Sequence, residues 1–293
     1  MTQSLSIAGV QARGMIRPRV AILAAAIALV TPSLAAAHSF WLEPAAHEAQ
    51  AQEPVRVAFK VGDLDAEGGP KVNEWGLFWE RIAALRSFGP EGVTDQQSAA
   101  RITAAGEPGS ARVSLSGAGT HIIAFASNPS FSDLEAARFN RYLDHEGLSA
   151  IAADRAAKGT AEQRGTELYA RRAKAMVQVG DTLSDVTKPI GHTLEIVPLA
   201  HPQQLGPAKS LPIRVLWRGA PLEGAKVVVW RLGEPGDAPV KQGVYSTGAD
   251  GGSLVGLAFG ERHMISVVWG EPAPNDARAD FFTVFASLTF ERD

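Results

Sequence analysis

The chain has 293 residues, 45% hydrophobic and 20% charged, with 29 Gly, 18 Pro and no Cys, a composition that excludes a disordered or fibrous polypeptide. Without cysteine there is no disulfide framework, thiolate zinc site, iron–sulfur cluster or thiol nucleophile, so any metal must be held by His, carboxylate or backbone groups. Twenty-eight Lys and Arg against 31 Asp and Glu give a net charge of −3, too balanced for a nucleic-acid surface.

The charge is not evenly spread. The first 37 residues hold Arg13, Arg17 and Arg19 and no acid, leaving 25 basic against 31 acidic residues in the remainder, a net of −6. Val20 to Val30 is an apolar run of eleven residues, short for a membrane span of about 20 but within the signal-peptide range of about 7–15. Pro32 ends the run, and Ala35 and Ala37 supply small residues at −3 and −1. Cleavage between Ala37 and His38 is expected, yielding a periplasmic or secreted product; the alternative is an uncleaved N-terminal anchor. Met15 is an alternative start.

Beyond the signal, Val55, Val57, Phe59 and Val61 alternate with polar or small residues, the period-two pattern of a half-buried strand. Residues 65–90 fit neither helix nor strand cleanly. Ala111–Leu115 and Thr120–Ala126 are predicted strands joined by a Gly117-Ala118-Gly119 turn. Ser132…Glu135 has the spacing of a helix-capping box, predicting a helix to Gly147 with Ala136, Phe139 and Leu143 on one face. Ser149–Lys158 reads as a second helix and Thr160–Val179 as a third, whose Arg164, Arg171, Arg172 and Lys174 would form a solvated face or an anionic-partner patch. Short strands are then predicted at 193–197, 211–217, 225–230, 253–259, 263–269 and 281–290, separated by Gly- and Pro-containing turns. The expected fold is mainly β with a helical insertion: two antiparallel Ig-like β-sandwich modules bridged by about three helices. The expected boundaries are a signal peptide at 1–37, an N-terminal β domain at 38–130, the helical insertion at 131–180 and a C-terminal Ig-like sandwich at 181–293.

His38-Ser39-Phe40-Trp41-Leu42-Glu43-Pro44 after a signal peptide, followed by Val55–Asp63, resembles the opening of the DUF4198 family, whose members are often described as NikM-like periplasmic nickel-uptake components. The resemblance continues through Asn128-Pro129-Ser130, Tyr142-Leu143, Glu146-Gly147-Leu148, Tyr169–Lys174, Arg262–Val268 and Phe285–Phe290. Gly219–Val227 with Asp250-Gly251-Gly252 is also similar to a transthyretin-like or carboxypeptidase-regulatory-like Ig-type sandwich. The family resemblance implies nickel binding and a membrane metal transporter as partner.

A histidine at a free N-terminus can chelate a metal through its amine, with pKa about 7.7–8.0, and its imidazole; one further His completes a nitrogen set suited to Cu(II) or Ni(II). His38 is the candidate anchor, with His263 and His121 as partners and a nickel or copper ion as the group held. His38 could equally be the first residue of a strand. Both partner residues fall on apolar strand faces, where core packing is the competing reading. His145 is explained as a cation near a helix C-terminus, and His47, His192 and His201 as solvated loop residues. No GxSxG elbow, Walker loop or GxGxxG is present. The expected function is therefore an exported, non-enzymatic metal-binding or metal-delivery protein working with a membrane transporter, with no nucleic-acid or disulfide-linked partner. The alternatives are a metal-free structural or ligand-binding β-sandwich module and a histidine-brace copper oxidase acting on polysaccharide; the six Trp residues could line a sugar platform, but core packing is the favoured reading.

Overall fold

The computed structural model describes residues 39–66, 69–103, 107–206, 209–234, 237–273 and 278–292. The predicted signal segment and His38 lie outside them. The N-terminal part comprises β1 (Ser39–Pro44), β2 (Glu48–Ala49), β3 (Val55–Asp63), β4 (Lys71–Glu74), β5 (Ile82–Gly89), β6 (Gly92–Asp95), β7 (Ala100–Arg101), β8 (Ser110–Val113), β9 (Gly119–Ser127) and β10 (Ser130–Leu134). Helices α1 (Ala136–Glu146) and α2 (Ser149–Ala157) follow, then β11 (Gly165–Val179). The C-terminal part comprises β12 (Leu194–Pro198), β13 (Ser210–Trp217), β14 (Ala220–Pro221), β15 (Lys226–Leu232), β16 (Val240–Ser246), β17 (Gly252–Gly256), β18 (Glu261–Pro272) and β19 (Phe281–Arg292).

The mainly β character and the two shorter helices match the sequence reading. α1 stops where Gly147 turns left-handed (φ 73°). The Gly147 N–H bonds to the Asp144 carbonyl and the Leu148 N–H to the Leu143 carbonyl, which satisfies carbonyls that the helix leaves open. A Cβ on Gly147 would meet Lys226 Cβ at 3.0 Å. Gly147→Ala is expected to destabilise the protein by about 1 kcal/mol, read as a lower midpoint in urea denaturation with unchanged slope; an unshifted midpoint would show that the cap contributes nothing.

The third helix is corrected to a strand. β11 runs through the middle of a ten-stranded sheet whose main path, among the described residues, is β16-β15-β18-β19-β11-β9-β5-β6, with β10 and β2 also on β11. Its residues include helix formers such as Ala, Arg and Met, and both its faces are covered, so the alternation that marks a half-buried strand is missing. The Ser132…Glu135 spacing is likewise not a capping box: Ser132 lies within β10, opposite Glu167, and Glu135 precedes α1 without a side-chain cap bond. The pairing is antiparallel except that β11 runs parallel to β19 and to β2.

This long sheet also replaces two separate modules bridged by helices. Successive residues of a strand face opposite ways, and the cores follow that parity. Ala170 and Met176 of β11 and Ile122 of β9 join one core with Val284, Leu288 and the inner faces of β12 and β13. Ala173, Ala175 and Val177 of β11, with Ile123 and Phe125 of β9, join a second core with β1, β3 and β8. The four-stranded sheet of β12, β13, β14 and β17 therefore packs on one face of the shared sheet, and the five-stranded sheet of β1, β3, β4, β7 and β8 on the other. Phe139, Leu143 and Ile151 of α1 and α2 cover Val268, Phe281 and Phe285, on the face opposite the first core.

Candidate functional site

The shared sheet carries the two partner histidines on opposite sides. His121 of β9 has the parity of Ile123 and Phe125, whereas His263 of β18 has that of Ile265 and Val267. Both are buried. The His121 Nε2–H donates to the Gly117 carbonyl at 3.0 Å. Its Nδ1 lies against Gly89, where a Cβ would approach to 2.2 Å, so the ring occupies space that only glycine leaves. The His263 Nε2–H donates to the Ala258 carbonyl at 3.0 Å, and burial pushes its imidazole pKa down. The structure does not bring these two rings together, and His38 lies outside the described residues. Among the described residues no group of three His, Asp or Glu is placed to hold a metal ion.

The expectation that His47 and His201 are solvated is corrected, since both are buried. His47 Nδ1 bonds to the Met176 carbonyl at 2.7 Å. His201 accepts the Gln203 N–H on Nδ1 at 3.1 Å, so its Nε2 carries the proton and donates to Thr120 Oγ1 at 2.9 Å. The Thr120 hydroxyl in turn donates to Gln178 Oε1 at 2.6 Å. This chain of bonds ties β9 and β11 to the turn after β12 and has the character of structural glue.

The basic face expected on the third helix is mostly interior. Lys174 sits beneath the four-stranded sheet with its Nζ 2.9 Å from Glu195 Oε1, both side chains almost wholly buried. Glu195 also accepts the N–H groups of Ile190, Gly191 and His192. The Arg171 guanidinium lies among the rings of Phe40, Trp75, Tyr169 and Phe285, at 4.9, 5.6, 5.6 and 5.7 Å from their centroids, a cation–π environment in which burial lowers its pKa to about 10. Beneath α1, Glu167 accepts hydrogen bonds from Thr283 Oγ1 at 2.6 Å and from the Tyr142 hydroxyl at 3.2 Å. Burial pushes the Glu167 carboxyl up to about 7.

A partly exposed cluster of charged side chains sits at the C-terminal end of α1. His145 Nε2 is 3.0 Å from Asp65 Oδ2, and Nδ1 is 3.1 Å from Glu146 Oε1. The Glu146 carboxylate, more than the burial opposing it, raises the His145 pKa. Lys241 reaches Asp65 and Lys226 reaches the His145 carbonyl. The sequence reading of His145 as a helix C-terminal cation is compatible with this placement but missed Asp65, which lies 80 residues away. A separate surface groove of about 640 Å³ is lined by Glu48, Glu53, Arg56, Arg112, Gln178 and Asp181, among others.

The profile of the family described as "Domain of unknown function (DUF4198)" matches residues 35–270. The chain belongs to the DUF4198 family. The match runs in chain order from β1 through most of β18, so the DUF4198 domain includes His121, Asp65, His145, Glu195 and His263. No curated protein matches this DUF4198 chain. Among solved structures, the chain is similar to "D0-D1 domain of Intimin" at 10% identity, covering 86% of this chain and 97% of that one, with a TM-score of 0.19; a similarity this low carries no argument about the DUF4198 fold or its function. No helix among the described residues is long and apolar enough to cross a membrane.

Proposed function

We propose that this DUF4198 chain is an exported, non-enzymatic protein that binds Ni(II) or Cu(II) through a mature N-terminus at His38, in the NikM-like manner that its sequence resemblance implies, and works with a membrane metal transporter. The supporting observation is that Ser39, the first residue of β1, pairs with Gly62 of β3. A chain cleaved before His38 would present its amine one residue from a strand anchored by Phe40 and Leu42 in the core, which limits the freedom lost on chelation. The amine and the imidazole of the same residue are nitrogen donors of the kind these ions favour, in a chain with no thiol to compete. The C-terminal strands are read as the transthyretin-like part, in agreement with the tight turn at Gly251 (φ 72°).

The secreted form is expected to have the intact mass of a chain starting at His38 and to bind one equivalent of Cu(II) or Ni(II). Adding one alanine before His38 converts the amine to an amide and is expected to weaken binding by at least about tenfold. A different mature start, or equal affinity with and without the added residue, would overturn the terminal site. The alternative of a metal-free ligand-binding module draws its support from the groove lined by Arg56 and Arg112; it predicts background metal content in protein purified without chelator.

A further inference from the structure

We propose that the groove beside the start of β3 is a binding site for a short zwitterionic peptide, with Arg56 and Arg112 taking its carboxylate and the acidic residues of the same groove its ammonium. The site is independent of the terminal metal reading and shares no residue with it. Arg56 of β3 and Arg112 of β8 face each other across an antiparallel pair, which sets their Cβ atoms about 4.5–5.5 Å apart on one face of the sheet. Like charges directly opposite destabilise a strand pair, and an anion placed between them removes that cost. Glu74 offsets only part of it. Its Oε2 lies 3.6 Å from Arg56 Nη2 at a half-exposed position, where an ion pair contributes little.

Arg112 forms no ion pair among the described residues, and neither do Glu48, Glu53 and Asp181, although all four line the groove. Charges of both signs therefore stand along one groove without neutralising each other, an arrangement that a ligand with a negative and a positive end would bridge. The planar guanidinium donates parallel N–H bonds that match a carboxylate. The groove's volume of about 640 Å³ falls within the range of about 300–1,000 Å³ found for small-ligand sites. Ala45 and Ala46 form part of its wall and leave room for a peptide backbone. The turn that presents Glu53 is held in a conformation that a residue with a Cβ disfavours: Gln52 is left-handed, with φ 66°. The Gln52 N–H bonds to the Leu115 carbonyl at 2.9 Å and the Glu53 N–H to the Gln50 carbonyl at 3.2 Å. Backbone forms of this kind persist where neighbouring contacts over-determine them, and they concentrate at ligand clamps.

The test is calorimetric titration of the purified protein with trialanine, beside trialanine amide, N-acetyl-trialanine and acetate. A chelator in the buffer keeps any metal site silent, so the result is separate from that of the terminal-site experiment. Trialanine is expected to bind, and loss of either terminal charge to weaken binding at least about tenfold. Arg112→Gln is expected to weaken trialanine to the level of the amide, and Glu53→Gln to weaken trialanine while leaving N-acetyl-trialanine unchanged. Both side chains are exposed, and circular dichroism establishes that the variants fold. Trialanine that does not bind at millimolar concentration, or that binds Arg112→Gln as tightly as the wild type, would overturn the site. Acetate binding as tightly as trialanine would reduce the groove to an anion patch and overturn the peptide assignment.

Discussion

Replacing Glu195 by alanine is expected to remove about 3–5 kcal/mol of stability, seen as a large fall in the urea midpoint of the protein. Two costs combine. Lys174 Nζ would lose its partner at 2.9 Å while remaining beneath the four-stranded sheet, and burial already lowers the Lys174 pKa even with the carboxylate present. The part-buried N–H groups of Ile190, Gly191 and His192 would lose their charged acceptor as well, and hydrogen bonds to charged groups contribute more than neutral ones. Against a typical domain stability of about 5–15 kcal/mol, the loss is a substantial fraction. Lys174→Met combined with Glu195→Leu removes the stranded charge and is expected to recover part of the loss, but not the share belonging to the loop donors. A loss below about 1 kcal/mol for Glu195→Ala would mean that water reaches the pair and that the interior charge argument is wrong.

Glu167→Gln is expected to change how stability depends on pH. The Glu167 carboxyl has a folded-state pKa of about 7 against an ordinary 4.5, raised chiefly by burial. Between those values the native state retains a proton that the unfolded chain has released, so stability is greatest below about pH 4.5 and falls as pH rises through 7. Glutamine cannot ionise and removes this dependence. The stability of wild type relative to the variant is therefore expected to decline by about 3 kcal/mol between pH 4.5 and 7.5, measured by urea denaturation across that range. Parallel pH profiles for the two proteins would show that the carboxyl is not perturbed in the fold. The Thr283 hydroxyl at 2.6 Å still finds an acceptor in a glutamine oxygen, so the comparison isolates ionisation rather than loss of the hydrogen bond.

Both effects arise on β11, the element whose class the sequence reading missed. Gly165–Val179 carries the composition of a helix because, as a central strand covered on both faces, it needs no alternation of apolar and polar residues. Its three interior charged groups, Glu167, Arg171 and Lys174, read as a helix's polar residues and are instead satisfied by Thr283, by four aromatic rings and by Glu195. By contrast β3, with one face on the core, shows its alternation openly in Val55, Val57 and Phe59. β16 escaped the reading because Val240–Ser246 is largely exposed, leaving no apolar face to register. The cluster at the end of α1 was not legible in the sequence. Asp65 and His145 lie 80 residues apart and have no local signature that joins them.

What this chain determines by itself is whatever depends on near neighbours. That includes the exclusion of thiol chemistry, the alternating strands, and the glycine that stops α1 at Gly147. The tertiary structure decides what depends on contacts between distant residues. Those contacts make β11 the strand that joins the two halves, set His121 and His263 on opposite faces of one sheet, and bring His145 to Asp65. The physical reason is that burial and charge pairing are properties of the assembled sheet, where a strand's neighbours, and not its own propensities, settle which face each side chain takes and which partner it meets.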